Sequence, residues 1–388
     1  MQENDSNYVI RTGLQPCDFH SSEWDALLGR QDQPTPFMRH AYLQALHDSD
    51  SACSDTGWTP AFVGIWHEDT LVAACPLYLK DHSYGEYVFD WAWADAYQRH
   101  GLRYYPKAVV AVPFTPVPGS RLLARDDALR QQLLNAVVSW CDASQLSSLH
   151  VLFGSPADLQ ATSSRGLMQR QTVQFHWHRH GHRSFDEYLA GLNQDKRKKV
   201  RQERRRVAEA GVSFRHARGR DISAQDWDFF YQCYERTYLE HGNRPYLQPA
   251  FFDRMAQHMP DDWVLFTAQR EGRDIACSLI GLGQAPGQAP VAYGRYWGAL
   301  ERVDCLHFEA CYYQPLAWCL QHGVDRFEGG AQGEHKMARA LLPVTTHSAH
   351  WLAHPGFAQA VENFLQREEA GVSDYLDHLH QRSPLKQL

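Results

Sequence analysis

Apolar residues recur at helical spacing over Ser22–Leu28 and again over Arg39–Asp48. Two apolar runs then flank a polar turn in AFVGIWHEDTLVAACPLYLK (61–80), which predicts a hairpin. GEYVFDWAWADAY (85–97) is aromatic and reads as extended. Leu129, Leu133, Leu134, Val137 and Val138 share one side of a helix expected over Arg125–Ala143, and SLHVLFG (148–154) reads as a buried strand. The small, polar stretch ADLQATSSR (157–165) is the expected linker, dividing the chain into residues 1–165 and 166–388.

The second part repeats the order. Helices are expected over Asp226–His241 and Pro249–His258, and a hairpin over WVLFTAQREGRDIACSLIGLG (263–283). A strand follows in VAYGRYWG (291–298), then a helix over Cys305–His322 with Leu306, Ala310, Tyr313 and Leu320 on one side and Gly323 as its stop. DRFEG (325–329) is a short strand. Helix, helix, hairpin, strand, helix, strand occurs twice. The expected class is mixed α/β, with two tandem acetyltransferase-like domains. No short solenoid repeat is present.

Near the start of the second part lies a segment of different character. Ser184 and Glu187 form a capping box ahead of the stripe Phe185, Tyr188, Leu189 and Leu192, opening a helix expected over residues 184–210. Residues 196–206, KRKKVRQERRR, then hold eight Lys or Arg and one Glu, a net +7; the whole chain is −7, so the remainder carries −14. Lys196 opens the run, and Arg197, Arg201, Arg204 and Arg205 fall on one helical face, where like charges repel. A phosphate-bearing ligand would offset that repulsion: transfer RNA, coenzyme A or a nucleotide-linked sugar. A solvated basic face, or one paired with the acidic remainder, fits equally. No helix-turn-helix or aromatic-interleaved pattern accompanies the run, so DNA is not expected as a partner.

Candidate chemistry concentrates in three places. HSYGEYVFDWAWAD (82–95) interleaves His82, Tyr84, Glu86, Asp90, Trp91 and Asp95; if extended, Glu86, Val88 and Asp90 point to one side. A carboxylate desolvated among aromatics has a raised pKa and suits a general base, whereas the same residues could be an aromatic core with satisfied acids. EGGAQGEHK (328–336) puts Gln332, Glu334, His335 and Lys336 in a glycine-rich turn whose backbone can approach a ligand closely, or which is simply a turn. Arg295 and Tyr296, with His307, Glu309 and Tyr312, form further polar-aromatic groups. Glu86, Asp90, Glu334 and His335 are the candidates for proton transfer. His176, His178, His180 and His182 alternate, yet lack acid or thiol partners at ligand spacing, so no metal site is expected.

Several classes fall away. There is no GxSxG, HExxH, GxGxxG or P-loop signature. Nine cysteines without a CxxC pair fit reduced thiols. The opening MQENDSNYVIRTGLQPC lacks a leader pattern, and no long apolar window occurs; a cytoplasmic protein without a transmembrane segment is expected.

CPLYLKDHSYGEYVFDWAWADAY (75–97), YYPKAVVAVPFTPVPGSRLL (104–123), QFHWH (174–178), KRKKVRQERRR (196–206), YGRYWG (293–298), LHFEACYYQ (306–314) and EGGAQGEHKMARALLPVTTHSAHW (328–351) together resemble the FemAB-like family of peptidoglycan biosynthesis or recognition proteins and predicted N-acyltransferases. The resemblance implies two acetyltransferase-like (GNAT-like), Fem-type domains. It also implies acyl or aminoacyl transfer to a primary amine, with a peptidoglycan precursor as one acceptor. The donor is then aminoacyl-tRNA or acyl-CoA, and no cofactor is tightly bound. Acyl-CoA-dependent acetylation of a small amine, and a non-catalytic peptidoglycan- or RNA-binding module, are the alternatives. Three departures stand out. Family members carry Asn and an aromatic where His180 and His182 stand. Pro315 should kink its helix. GALERVDCLHF (298–308) replaces the usual acetyl-CoA loop.

Overall fold

The computed structural model describes residues 8–386 apart from Pro286 and Gln332, so the expectation for Gln332 lies outside the described residues. The chain forms two compact units: Met1–Thr172 with Thr345–Asp374, and Val173–Val344 with Tyr375–Leu388. The second domain is therefore not the continuous 166–388. Strand Ser148–Leu152 pairs on one side with Lys107–Val110 in parallel, and its other side takes Ser348–Leu352 antiparallel. Backbone groups of a buried strand need partners on both sides, and here one partner comes from far along the chain.

In the first unit, Leu77–Lys80 extends that sheet beside Lys107–Val110, with Thr59–Pro60 beyond it. A separate sheet joins Tyr8–Leu14, Phe62–His67, Thr70–Cys75 and Leu123–Ala124 in that order. Helix Asp127–Ala143 starts where Asp126 accepts the Leu129 amide. It buries Leu133, Leu134 and Val137 against Val63, Val72, Ala108 and Val151, each such side chain contributing about 1.5–3 kcal/mol.

Two local expectations change. Residues 157–165 are not a linker, because Pro156–Ser164 is a helix opened by a reciprocal Ser155–Asp158 cap. The buried Asp158 also accepts the amides of Arg121 and Leu122, so this short polar stretch is pinned to the core. Residues 85–97 are not extended either: 81–90 is irregular and Trp91–Arg99 is a helix. The inward side of Glu86, Val88 and Asp90 nevertheless holds, for all three are buried while Phe89 is exposed.

In the second unit, Val212–Arg218, Trp263–Arg270, Arg273–Gly283 and Val291–Ala299 form an antiparallel succession. Arg326–Ala331 then joins in parallel and is flanked by the chain up to His178. Ala224–Glu240 lies so close to Val291–Ala299 that a Cβ on Gly298 would meet the Cys233 carbonyl oxygen at 2.0 Å. Ahead of Pro315 the chain makes a π-helical turn, Glu309–Tyr313, that leads into helix Gln314–Gln321; the wider turn tolerates the missing amide. The expected helix 184–210 is two helices, Phe185–Gly191 and Gln194–Glu209, the second capped by Asn193.

Candidate functional site

The second unit holds a cavity of about 160 Å³. Its cause is a local parting of strands. Val291–Ala299 and Arg326–Ala331 pair only over Val291–Tyr293 and Arg326–Glu328. Past that point, a bulge opposite Leu279 and Ile280 makes Arg295 the extra residue between Gly294 and Tyr296. A bulge re-aims side chains. The result brings Arg295, Tyr296, His307, Tyr312 and Lys336 to one cavity, floored by Ile280, Gly294, Phe327 and Gly329.

Lys336 is buried, and its Nζ donates to the carbonyls of Gly329 at 2.6 Å and Gly330 at 3.1 Å. Burial lowers its pKa to about 8. His307 is also desolvated and faces His335, Arg339 and Lys336, which brings it to about 4 and leaves a neutral ring. The Tyr312 hydroxyl lies 3.3 Å from His335 Nε2. Arg295 Nη2 donates to the Tyr296 hydroxyl at 3.1 Å. The cavity can therefore offer an ammonium, two hydroxyls and a neutral imidazole to a polar group bound among apolar walls.

Glu334 does not join them. Its carboxylate is exposed and accepts from Tyr375 and from Arg382, both at 3.1 Å. The side chain points out of the glycine-rich turn, while Lys336 points in.

Glu86 and Asp90 lie in the first unit, around a residue the sequence did not single out. Lys107 Nζ donates to Ser83 and Glu86 at 2.8 Å and also to Asp90. Tyr104 donates to Asp90 at 2.6 Å, and its hydroxyl is 3.2 Å from His150 Nε2. His150 meets His350 at 2.7 Å through their Nδ1 atoms. Burial raises Glu86 to about 7 despite Lys107. Burial also opposes ionisation of Asp90, but Lys107 and His150 carry it down to about 2. Lys107 itself stays protonated between the two carboxylates. This is a charged network at the core of its unit. A Lys inside YYPKAVVAV reads locally as strand, which concealed it.

Around that network, Tyr84 and Trp91 are exposed and pack edge-on at 5.0 Å. His82 sits 3.6 Å from Asp81. Asp95 lies on the solvent side of its helix, with its backbone carbonyl accepting from Arg99.

The basic helix divides its charges. Arg204 is not free for phosphate: its Nε donates to both oxygens of buried Glu309 at 3.2 Å, and Gln314 completes that carboxylate. Arg205 pairs with Glu209. Glu203, the one acid of the run, turns inward to Arg339 at 2.7 Å and to the Tyr313 hydroxyl. Arg197 and Arg201 have no ion-pair partner among the described residues and line an open groove of about 730 Å³ with Gln194, Lys198, Gln202 and Arg205. Lys196 is half-buried at the first turn. The alternating histidines do not share a face, since strand Met168–His178 ends before His180 and His182.

The FemAB-like family model, described as peptidoglycan biosynthesis/recognition, matches residues 17–387. The chain belongs to that family. Among solved structures, this FemAB-like protein is similar to FemX, at 11% identity and a TM-score of 0.53, covering 89% of this chain and 98% of FemX. It is also similar to the C-terminal domain of a putative lysylphosphatidylglycerol synthetase from Agrobacterium fabrum, at 11% identity and a TM-score of 0.52, covering 89% and 95%. A third likeness is L-PGS from Bacillus licheniformis, at 10% identity and a TM-score of 0.51, covering 92% and 98%. At such identity the likeness is one of fold: a mixed α/β, two-unit architecture of Fem type. No curated protein matches the sequence. Among the described residues, no helix is long and apolar enough to cross a membrane.

Proposed function

We propose that this FemAB-like protein is an N-acyltransferase whose transfer step takes place in the cavity of the second unit. The observation that carries the proposal is the parting of Val291–Ala299 from Arg326–Ala331 beside Lys336. Parted strands leave backbone groups turned to a ligand rather than to each other. In acyl transfer the amine nitrogen attacks the carbonyl carbon, the carbonyl oxygen gains negative charge, and the bond to the carrier breaks. Fixed donors beside that oxygen lower the barrier. The Lys336 ammonium and the Tyr296 and Tyr312 hydroxyls are such donors.

The attacking amine must be neutral. A desolvated cavity walled by Lys336 and Arg295 disfavours an ammonium, so the acceptor sheds its proton on entry. The neutral ring of His307 can take the remaining proton during attack and pass it to the leaving group. Glu86 and Asp90 are proposed to organise the first unit, where Tyr84 and Trp91 present an exposed aromatic surface. Arg197 and Arg201 are proposed to hold carrier phosphates. The family description favours a peptidoglycan precursor as acceptor.

The test is mass spectrometry of a lysine- or diaminopimelate-containing muropeptide precursor incubated with the protein and candidate donors. A mass increase of one acyl group that disappears with Lys336→Ala supports the proposal. Precursor that binds, stays unmodified with every donor, and binds the Lys336→Ala protein equally well would make this chain a recognition module instead.

A further inference from the structure

The basic helix borders two hollows of the second unit. Arg197, Arg201 and Arg205 stand four residues apart, a row with steps of about 6 Å along the axis. Arg201 and Arg205 line the groove of about 730 Å³ and also a trough of about 520 Å³. Arg197 and Lys198 line only the groove, while Arg204, Val207 and Ala208, further round the helix, line only the trough. The hollows therefore meet along one row of guanidiniums.

Their chemistry differs. No carboxylate lines the groove among the described residues. The trough is walled by Phe185 and Leu189 from one short helix, Val207 from the basic helix, and Val212 and Phe214 from the strand that follows. Its inner polar groups are engaged with one another, since Arg204 and Gln314 both hold Glu309. Asp186 and Ser213 are exposed at its rim. Arg205 meets Glu209 at 3.4 Å, but both are exposed, and such a pair yields to a competing anion at little cost. A nucleotide or a nucleic acid would use the groove and leave the apolar trough wet. A pantetheine arm would bring two amides to walls whose inner polar groups are already bonded, and unpaired amides are costly. An aliphatic chain meets no such cost and gains from leaving water.

We propose that trough and groove form one site for a phosphorylated lipid, with its aliphatic chain among Phe185, Leu189 and Phe214 and its phosphate on Arg201 and Arg205. This rests on reading the basic helix as a holder of phosphate. It does not depend on the chemistry of the transfer cavity.

Monoalkyl phosphates test it, with binding to the full chain followed by ligand-observed NMR below the concentration at which they form micelles. Octyl phosphate should bind at least about tenfold more tightly than butyl phosphate, the ratio expected when a few more methylenes leave water. Octyl glucoside, which has the chain without the charge, should bind more weakly than octyl phosphate. Arg201→Ala should weaken both phosphates. Ala208→Trp, which fills the trough from an exposed position, and Phe214→Ser should each erase the preference for the longer chain, and either alone suffices if the other does not fold. Equal affinity for octyl and butyl phosphate overturns the inference and leaves the phosphate reading standing. Coenzyme A that binds more tightly than octyl phosphate, and loses that affinity in Ala208→Trp, also overturns it, because the trough then takes a pantetheine arm. Octyl phosphate that binds no better than octyl glucoside removes the phosphate reading and the inference together.

Discussion

Lys336 reaches back seven residues to donate to the Gly329 carbonyl at 2.6 Å, turning a basic side chain into the interior of the second unit rather than toward solvent. Its lowered pKa, about 8 against an ordinary 10.5, has a kinetic consequence. If the ammonium stabilises the oxyanion, kcat/KM falls as pH rises through about 8. Lys336→Arg should move that limb upward, because guanidinium does not deprotonate in this range. Lys336→Met should lower kcat by about 10²–10³, the usual loss for one oxyanion donor. A flat alkaline limb in the parent enzyme rules out the role.

The first unit predicts a pH-dependent stability. Glu86 titrates near 7 when folded and near 4.5 when unfolded. Between those values the folded chain binds more protons, so this group's contribution to stability declines as pH rises across the window. Asp90 has the opposite displacement and acts below pH 4. Urea unfolding at pH 5 and at pH 7.5 should show a decline in the parent protein that Glu86→Gln flattens. Identical declines in the two proteins would contradict the assignment.

Removing Lys107 should be far worse than neutralising Glu86. It would leave two carboxylates inside the core without their cation, at a cost of about 3–5 kcal/mol. Lys107→Met is expected to melt well below the parent, and adding Asp90→Asn should restore part of the loss. No recovery in the double variant would show that the two groups are not coupled.

The basic helix separates binding from folding. Arg197→Ala and Arg201→Ala should weaken binding of bulk transfer RNA and each reduce the slope of log affinity against log salt by about one. Neither should change the melting temperature. Arg204→Ala should do the reverse, because Glu309 would stay buried without its partner. Loss of RNA affinity in Arg204→Ala alone would invert the assignment.

How much of this the sequence disclosed follows from the range of the interactions. The hairpins expected over 61–80 and 263–283, and the helices expected over 125–143 and 226–241, are read from local periodicity, and the structure has each of them with ends shifted by a few residues. Residues 157–165 misled because a capped helix anchored by buried Asp158 is built from the same small polar residues as a linker. The return of 345–352 beside 148–152 has no local pattern at all. In the site, Arg295, Tyr296, His307, Tyr312 and Lys336 were visible as polar residues in aromatic or glycine-rich surroundings, and they do line one cavity. Glu334 shared that surrounding but turns outward, since its neighbours are Tyr375, on the distant helix Pro355–Gln381, and Arg382 just past that helix's end. Glu203, Arg339, His150 and His350 gave only weak signals: single polar residues within basic or apolar runs.

The chain passes between its two units three times, so neither unit is encoded as one uninterrupted stretch of gene. A fragment ending at residue 165 would lack the strand that covers one flank of Ser148–Leu152. It should expose a bare sheet edge and self-associate when expressed alone. An inherited insertion or truncation near residue 345 would damage the first unit from within the sequence of the second, so the two halves must be kept or lost together.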